Sequence, residues 1–434
     1  MLLYAEHTTA RLQYILDFIS SEFFIQPIVL TNSLSEFSAS NQPKINYSDQ
    51  VVPGAFRITP VSLLFETGIR SHEITCFDFG KYKAFFATGG GDFPFDIFSA
   101  SFYLLSRYEE YVAVDGSEAQ VFNYEDSLAC RNDFLDVPLV NIWLKALKAC
   151  LQEKFPEMFF TYRRFKFIPT YNIEKAYAHT NRGWRRNMVK DLRMIMKGDW
   201  TTVKERKAVF EGRKTDPFDA YEWLDALHLY CRLKPHYFFM LQSNTDSNTH
   251  APAGKALQQL ISYYASAYKI GVHLSPDTVI EGNKLREEIE LLEYLAGKEI
   301  VHSRFATVRL NLPGFYRSLI SRGITKDHSM GYRRRNGFRA SVASSFFWYD
   351  LATEETTALQ LFPFCFTDST AFYEQRLSAP HAFQELMHFY TLIKSVNGLM
   401  ITTWHNQFLG NDPAFKEWKD VYEIFLKDEV YWDN

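Results

Sequence analysis

The sequence predicts an α/β protein in two parts, a smaller α+β unit over residues 1–160 and an irregular (β/α) barrel over residues 161–434. Three observations lead there. From residue 164 onward, short strand-like apolar runs alternate with amphipathic segments of helical period, the pattern of a parallel sheet covered by helices. Before residue 160 the rhythm differs, with short strand-like runs first and helices after them. Finally, five of the later runs end on a polar residue: Asn172, His273, Arg304, Asp327 and His405. In parallel α/β folds strand ends converge on one mouth, so residues remote in the chain become neighbours there.

Taken in order, MLLYAEHTTARLQYILDFIS at the start reads as an amphipathic helix. Its charges sit inside the apolar pattern, and it lacks the basic segment and cleavage site of a secretory signal. FFIQPIVL and CFDFGKYKAFFAT read as strands, and PFDIFSASFYLLSRYEEY and VPLVNIWLKALKACLQEKF as helices. Gly89-Gly90-Gly91 is not followed by the Lys-Ser/Thr of a phosphate loop. With Asp92 and Pro94 beside it, it reads as a turn into a helix. The second part then predicts strands at 165–171, 236–242, 269–274, 300–304, near 325 and 346, and at 399–404. Helices fall between them at 218–231, 254–267, 282–296, 313–321 and 380–396, with a last one at 413–427. Residues 180–215 interrupt this order with eleven Lys or Arg against four Asp or Glu. They predict a basic helical arm, by default a solvated face and otherwise a contact for an anionic glycan, a membrane surface or a partner. Arg333, Arg334, Arg335 and Arg339 form a second basic cluster, just after Asp327.

Composition narrows the classes. Apolar residues make up 47% and aromatic residues 17%, including 39 Phe and 25 Tyr, which excludes a disordered chain and leaves aromatic surface for stacking on sugar rings. A net charge of −4 gives no general attraction to nucleic acid. The five cysteines, Cys76, Cys130, Cys150, Cys231 and Cys365, are odd in number and widely spaced. They predict neither a disulfide framework nor a thiolate metal site, and a reduced, cytoplasmic setting. No apolar run approaches the roughly 20 residues of a membrane span.

The phrases FDIFSASFYLLSRYEEY, RFKFIPT, DHSMGY with GFRA, and TTWHN, together with the five strand-end residues in this order, resemble the polysaccharide deacetylase family. This is carbohydrate esterase family four, with NodB homology. More narrowly they resemble a two-domain branch from Bacteroidetes-type bacteria with an uncharacterised N-terminal domain. The resemblance implies an irregular barrel that removes acetyl groups from N-acetylated, amino-sugar glycans. It also implies a divalent metal, usually zinc, held by one Asp and two His, with a second Asp as general base and a late His as proton donor. Metal-bound water loses its proton near neutral pH, and a carboxylate completes the deprotonation.

Carried over residue by residue, Asn172 takes the place of the general base and Glu174 that of the metal-ligating Asp, in Thr170-Tyr171-Asn172-Ile173-Glu174. His273 matches the first metal His, and Ala306 stands where the second is expected. His405 matches the proton donor, and Arg304 and Asp327 the supporting polar groups. Trp404, Asn406, Arg333 and Arg339 flank these positions as candidate substrate contacts. Asp277 or His302 would have to complete the metal set. An amide accepts no proton near neutral pH, and two ligands hold zinc poorly. Two functions therefore follow: a metal-dependent carbohydrate deacetylase with unusual ligands, or a pseudoenzyme that binds a glycan or a partner in the old pocket. Each residue also has a structural reading, His273 as a strand-end histidine, Arg304 with Asp327 as a buried ion pair, Asn172 as a turn cap.

Overall fold

The computed structural model describes residues 1–112, 122–179, 200–241, 254–275, 282–305 and 312–433. Its first part carries a four-stranded parallel sheet in the order β2-β1-β3-β4, built from β1 (Leu2–Ala5), β2 (Val29–Thr31), β3 (Lys44–Tyr47) and β4 (Phe56–Arg57). The opening residues are thus a strand and not the start of the expected helix. Leu2, Leu3, Tyr4 and Ala5 are all buried, and a run covered on both faces has no period to distinguish strand from helix. The helix is Ala10–Phe23, begun by the Thr9 side chain, which accepts from the Leu12 amide. A hairpin follows, β5 (Phe77–Phe79) and β6 (Tyr82–Ala84). Beyond the triple glycine the next helix is Ile97–Leu105, and its cap is Asp96, two residues past the expected Pro94. Asp92 instead accepts the Arg57 amide at 2.6 Å and pairs with Lys154.

The second part is a nine-stranded sheet in the order β12-β13-β11-β10-β9-β8-β7-β15-β14. Its strands are β7 (Lys166–Ile173), β8 (His236–Phe239), β9 (Lys269–Leu274), β10 (His302–Phe305), β11 (Lys326–Asp327), β12 (Phe346–Asp350), β13 (Glu355–Leu361), β14 (Phe366–Thr367) and β15 (Leu399–His405). All neighbours are parallel except β12 and β13. The sheet is strongly curled. The Arg304 Nη1 on β10 donates to Thr170 Oγ1 on β7 at 2.6 Å, although β9 and β8 lie between, a separation of about 14 Å in a flat sheet. Strand pairing does not join β14 to β12. The chain itself crosses from one edge to the other at residues 362–365, with Phe362 N–H on Asp327 O and Cys365 N–H on Ile401 O.

One contiguous apolar core runs through both parts, from Leu3 to Val430. Polar ties cross the same boundary: Arg11 pairs with Glu354, and Arg339 with Glu110. Of the basic arm expected at 180–215, residues 180–199 lie outside the described ones, and Trp200–Phe210 is helical. Among the described residues no helix is long and apolar enough to cross a membrane.

Candidate ligand cleft at the carboxyl ends of the strands

Alternate residues of a strand share a face, and register places His405 beside Asn172 and Arg304 beside His273. Asn172, Arg304 and His405, with Glu174 just past β7, line one cleft of about 440 Å³, and His273 lies buried behind Glu174. Glu174 Oε1 lies 3.6 Å from His273 Nε2 and 3.6 Å from His405 Nε2, so both histidines face one carboxylate. His273 is fully buried and its Nε2 has no hydrogen-bond partner. Asn172 Oδ1 accepts from Arg304 Nη1 at 3.2 Å, and its Nδ2 lies 3.3 Å from His405 Nε2.

Asp368, in the turn after β14, accepts the His405 backbone N–H at 2.7 Å and His405 Nδ1–H at 2.6 Å. Burial alone would lower the imidazole pKa, but Asp368 and then Glu174 raise it to about 10. The contact with Asn172 Nδ2 suits a hydrogen bond only if Nε2 accepts. Two carboxylates outweigh one long amide contact, so His405 is an imidazolium. In turn His273 and His405 hold Glu174 well below the usual carboxylate range, while burial keeps His273 neutral. Asp368→Asn should therefore return His405 toward its ordinary pKa near 6.5. Imidazole NMR shifts followed against pH check this; an unchanged titration would remove Asp368 from the account.

Arg304 rests in an aromatic bed, its guanidinium carbon 4.5 Å from the centre of the Phe238 ring and 5.5 Å from that of Phe364. Two glycines make room for these rings. A methyl group on Gly271 would meet Phe238 at 2.7 Å, and one on Gly331 would meet Phe364 at 2.2 Å.

Several expected site residues stand elsewhere. Asp327 faces away from the cleft, fully buried, where it accepts from Ser303 and from the Ser329 amide and hydroxyl. It makes no ion pair with Arg304 within 4 Å. Arg339 is no substrate contact: it is buried and bidentate to Glu110. Trp404 belongs to the core, packed on Tyr422 at 4.4 Å and Phe366 at 5.5 Å. Asn406 is buried too, donating to Phe218 O and Lys175 O and tying β15 to the loop after β7. Arg333 does line the cleft rim, largely exposed. Asp277 and Ala306 lie outside the described residues.

His302 does not join Glu174 and His273. It lies near the amino ends of the strands with His236 and His328, one ring nitrogen of each within 4.8 Å of the others. His302 Nδ1 and His328 Nε2 are 3.1 Å apart. This is the one such trio of potential ligands among the described residues. Besides one another, the charges acting on the three rings are cations: Lys166, Lys269, Lys298, Lys326 and Arg304. Burial first, and then the neighbouring rings and these cations, lower His236 and His302 to about 3 and His328 well below the usual range.

In the cleft, ligands of one tetrahedral zinc lie about 3.4 Å apart. Glu174 and His273, at 3.6 Å, suit two such positions. The Nδ1–H that His405 gives Asp368 leaves its Nε2 a possible ligand atom, but the ligand atoms of Glu174, His273 and His405 do not all lie within 4.8 Å of one another. Among the described residues the donors stop at two, short of the three a catalytic zinc takes. The described residues alone do not complete the metal centre that the family resemblance implies.

Sequence reasoning missed Asp368 and the cleft-lining Phe364, Thr370 and Tyr373. All follow β13 or β14, two strands the apolar pattern did not announce.

Residues 1–156 match the model of a family described as of unknown function, DUF7033. No curated protein matches the chain. Solved structures similar to it include one from Mycobacterium smegmatis assigned as a polysaccharide deacetylase, at 13% identity and TM-score 0.38, covering 62% of this chain and 86% of that one. Another is a probable polysaccharide deacetylase from Pseudomonas aeruginosa PAO1, at 11% identity and TM-score 0.40, covering 62% and 91%. A third is the polysaccharide deacetylase Bc1974 from Bacillus cereus, at 11% identity and TM-score 0.30, covering 59% and 88%.

Proposed function

We propose that this chain is a polysaccharide-deacetylase-like protein that binds an N-acetylated glycan in the cleft and has lost hydrolysis of its acetyl group. The observation that carries this reading is Asn172. Its amide oxygen is engaged by Arg304 and its nitrogen faces His405, at the place where a carboxylate would have to take a proton from water. Loss of a general base costs about a hundredfold to ten thousandfold in rate, and the two described metal donors compound that loss. His405 keeps its proton through Asp368 and serves as a fixed cationic donor to a ligand oxygen. Phe364 and Tyr373 offer apolar faces to sugar rings.

Division of the chain at about residue 160 is part of the proposal, with the first part bracing the second through Glu110. Titration calorimetry with N-acetylglucosamine oligomers on the full chain tests the reading. Saturable binding with no acetate in the cell is expected, and absence of binding by any N-acetylated oligomer would overturn it.

A further inference from the structure

The cleft holds one charge that its surroundings do not answer. Arg304 is 2% exposed and reaches the cleft wall. Nε donates to His328 O at 3.1 Å, and Nη1 to Thr170 Oγ1 and Asn172 Oδ1. Every one of these partners is neutral. Nη2 is buried with no hydrogen-bond partner, and among the described residues no carboxylate lies within 4 Å of the guanidinium. Asp327 acts on it only from the other face of the sheet. Burial without a counter-ion lowers even this guanidinium to about 9.

A buried cation missing its partner is costly, by several kcal/mol in the usual case. Three other buried arginines have carboxylates: Arg11 has Glu354, Arg107 has Glu109 and Glu110, and Arg339 has Glu110. Arg304 alone among these faces an opening. Its hydrogen-bonded side-chain neighbours there are Thr170 and Asn172, both uncharged. Arg333 at the rim is by contrast paired with Glu374, at 3.9 Å.

Resting on the reading of the cleft given above, we propose that the bound glycan carries a carboxylate, as an acidic sugar does, and that this group docks on Arg304 Nη2 beside Asn172. The ligand then supplies the counter-ion that Asn172, being an amide, does not. A charge-assisted hydrogen bond to a desolvated guanidinium is about twice as strong as a neutral one. The preference for an acidic over a neutral oligomer should accordingly be about tenfold or more.

The test titrates the full chain with two tetramers of equal length, one of N-acetylglucosamine alone and one alternating N-acetylglucosamine with glucuronate. Wild type should bind the acidic tetramer at least about tenfold more tightly. Asn172→Asp places a carboxylate on Arg304 from within and should abolish that preference while raising the thermal midpoint. Arg304→Gln should abolish it too; should that variant not fold, Asn172→Asp decides alone. Equal affinities in wild type, or a preference that survives Asn172→Asp, would overturn the proposal. If the neutral tetramer binds and the acidic one does not, the cleft reading stands and this inference falls. If neither binds, both fall.

Discussion

Glu110→Ala should cost about 3–5 kcal/mol of stability, enough to leave much of the chain unfolded at 37 °C. Glu110 is 4% exposed and accepts from Arg339 Nε at 2.8 Å, Arg339 Nη2 at 2.6 Å and Arg107 Nε at 2.8 Å. Its own burial would raise its pKa, but Arg339 and Arg107 hold it down at about 2. Removing it leaves the buried Arg339 without its carboxylate and Arg107 with Glu109 alone, which also accepts from the Leu128 amide. An uncompensated buried charge is the expensive case, far more so than deleting a whole pair. The network also joins the helix Tyr108–Val112 of the first part to the loop after β11 in the second. Its loss should therefore loosen both parts together in one urea transition followed by circular dichroism. Arg333→Ala, at an exposed rim position, should shift that midpoint by less than about 0.5 kcal/mol. Equal shifts for the two variants would contradict the assignment.

The second large effect is acid lability. His236, His302 and His328 are buried neutral, and His228 is lowered to about 3 by burial. Each unfolded histidine binds a proton near pH 6.5, so between there and pH 3 the unfolded chain holds more protons. Stability is full above about pH 6.5 and falls as the pH drops, by up to about 1.4 kcal/mol per pH unit for each group. The three clustered rings titrate as a set, so the slope belongs to the cluster and not to one residue. His405 works with the opposite sign. Its pKa is raised to about 10, so its contribution is present below pH 6.5 and is lost as the pH rises through 10. Glu110 adds a further loss between about pH 4.5 and pH 2. Urea midpoints at pH 7.5 and pH 5.0 should differ by several kcal/mol. Replacing His236 and His302 together by glutamine should flatten the profile, whereas an unchanged slope would mean the cluster carries no titration.

The sequence made the parallel core of the second part legible because its strands are buried apolar runs closed by a polar residue. Asn172, Glu174, Arg304 and His405 come together in one cleft on that basis, with His273 against Glu174. What it hid has physical reasons. β11 and β14 have two residues each, too short for any period, so Asp368 and the true direction of Asp327 were out of reach. A single step along a strand reverses the face a side chain takes. This is why Trp404, one residue before His405, sits in the core. Arg339 looked like part of a solvated basic cluster because its partner Glu110 is 229 positions away. Leu2–Ala5 looked helical because a doubly buried strand shows no alternation.

Whether the cleft turns over its ligand separates a binding site from an active one. The direct measurement is a single-turnover assay, with the full chain in excess over a labelled N-acetylglucosamine oligomer, with and without added zinc, and acetate counted per oligomer. Acetate no higher than in the protein-free control is the predicted result under both conditions. Release of one acetate per bound oligomer, on a time scale of minutes, would show that Asn172 has not silenced the site and would contradict the reading.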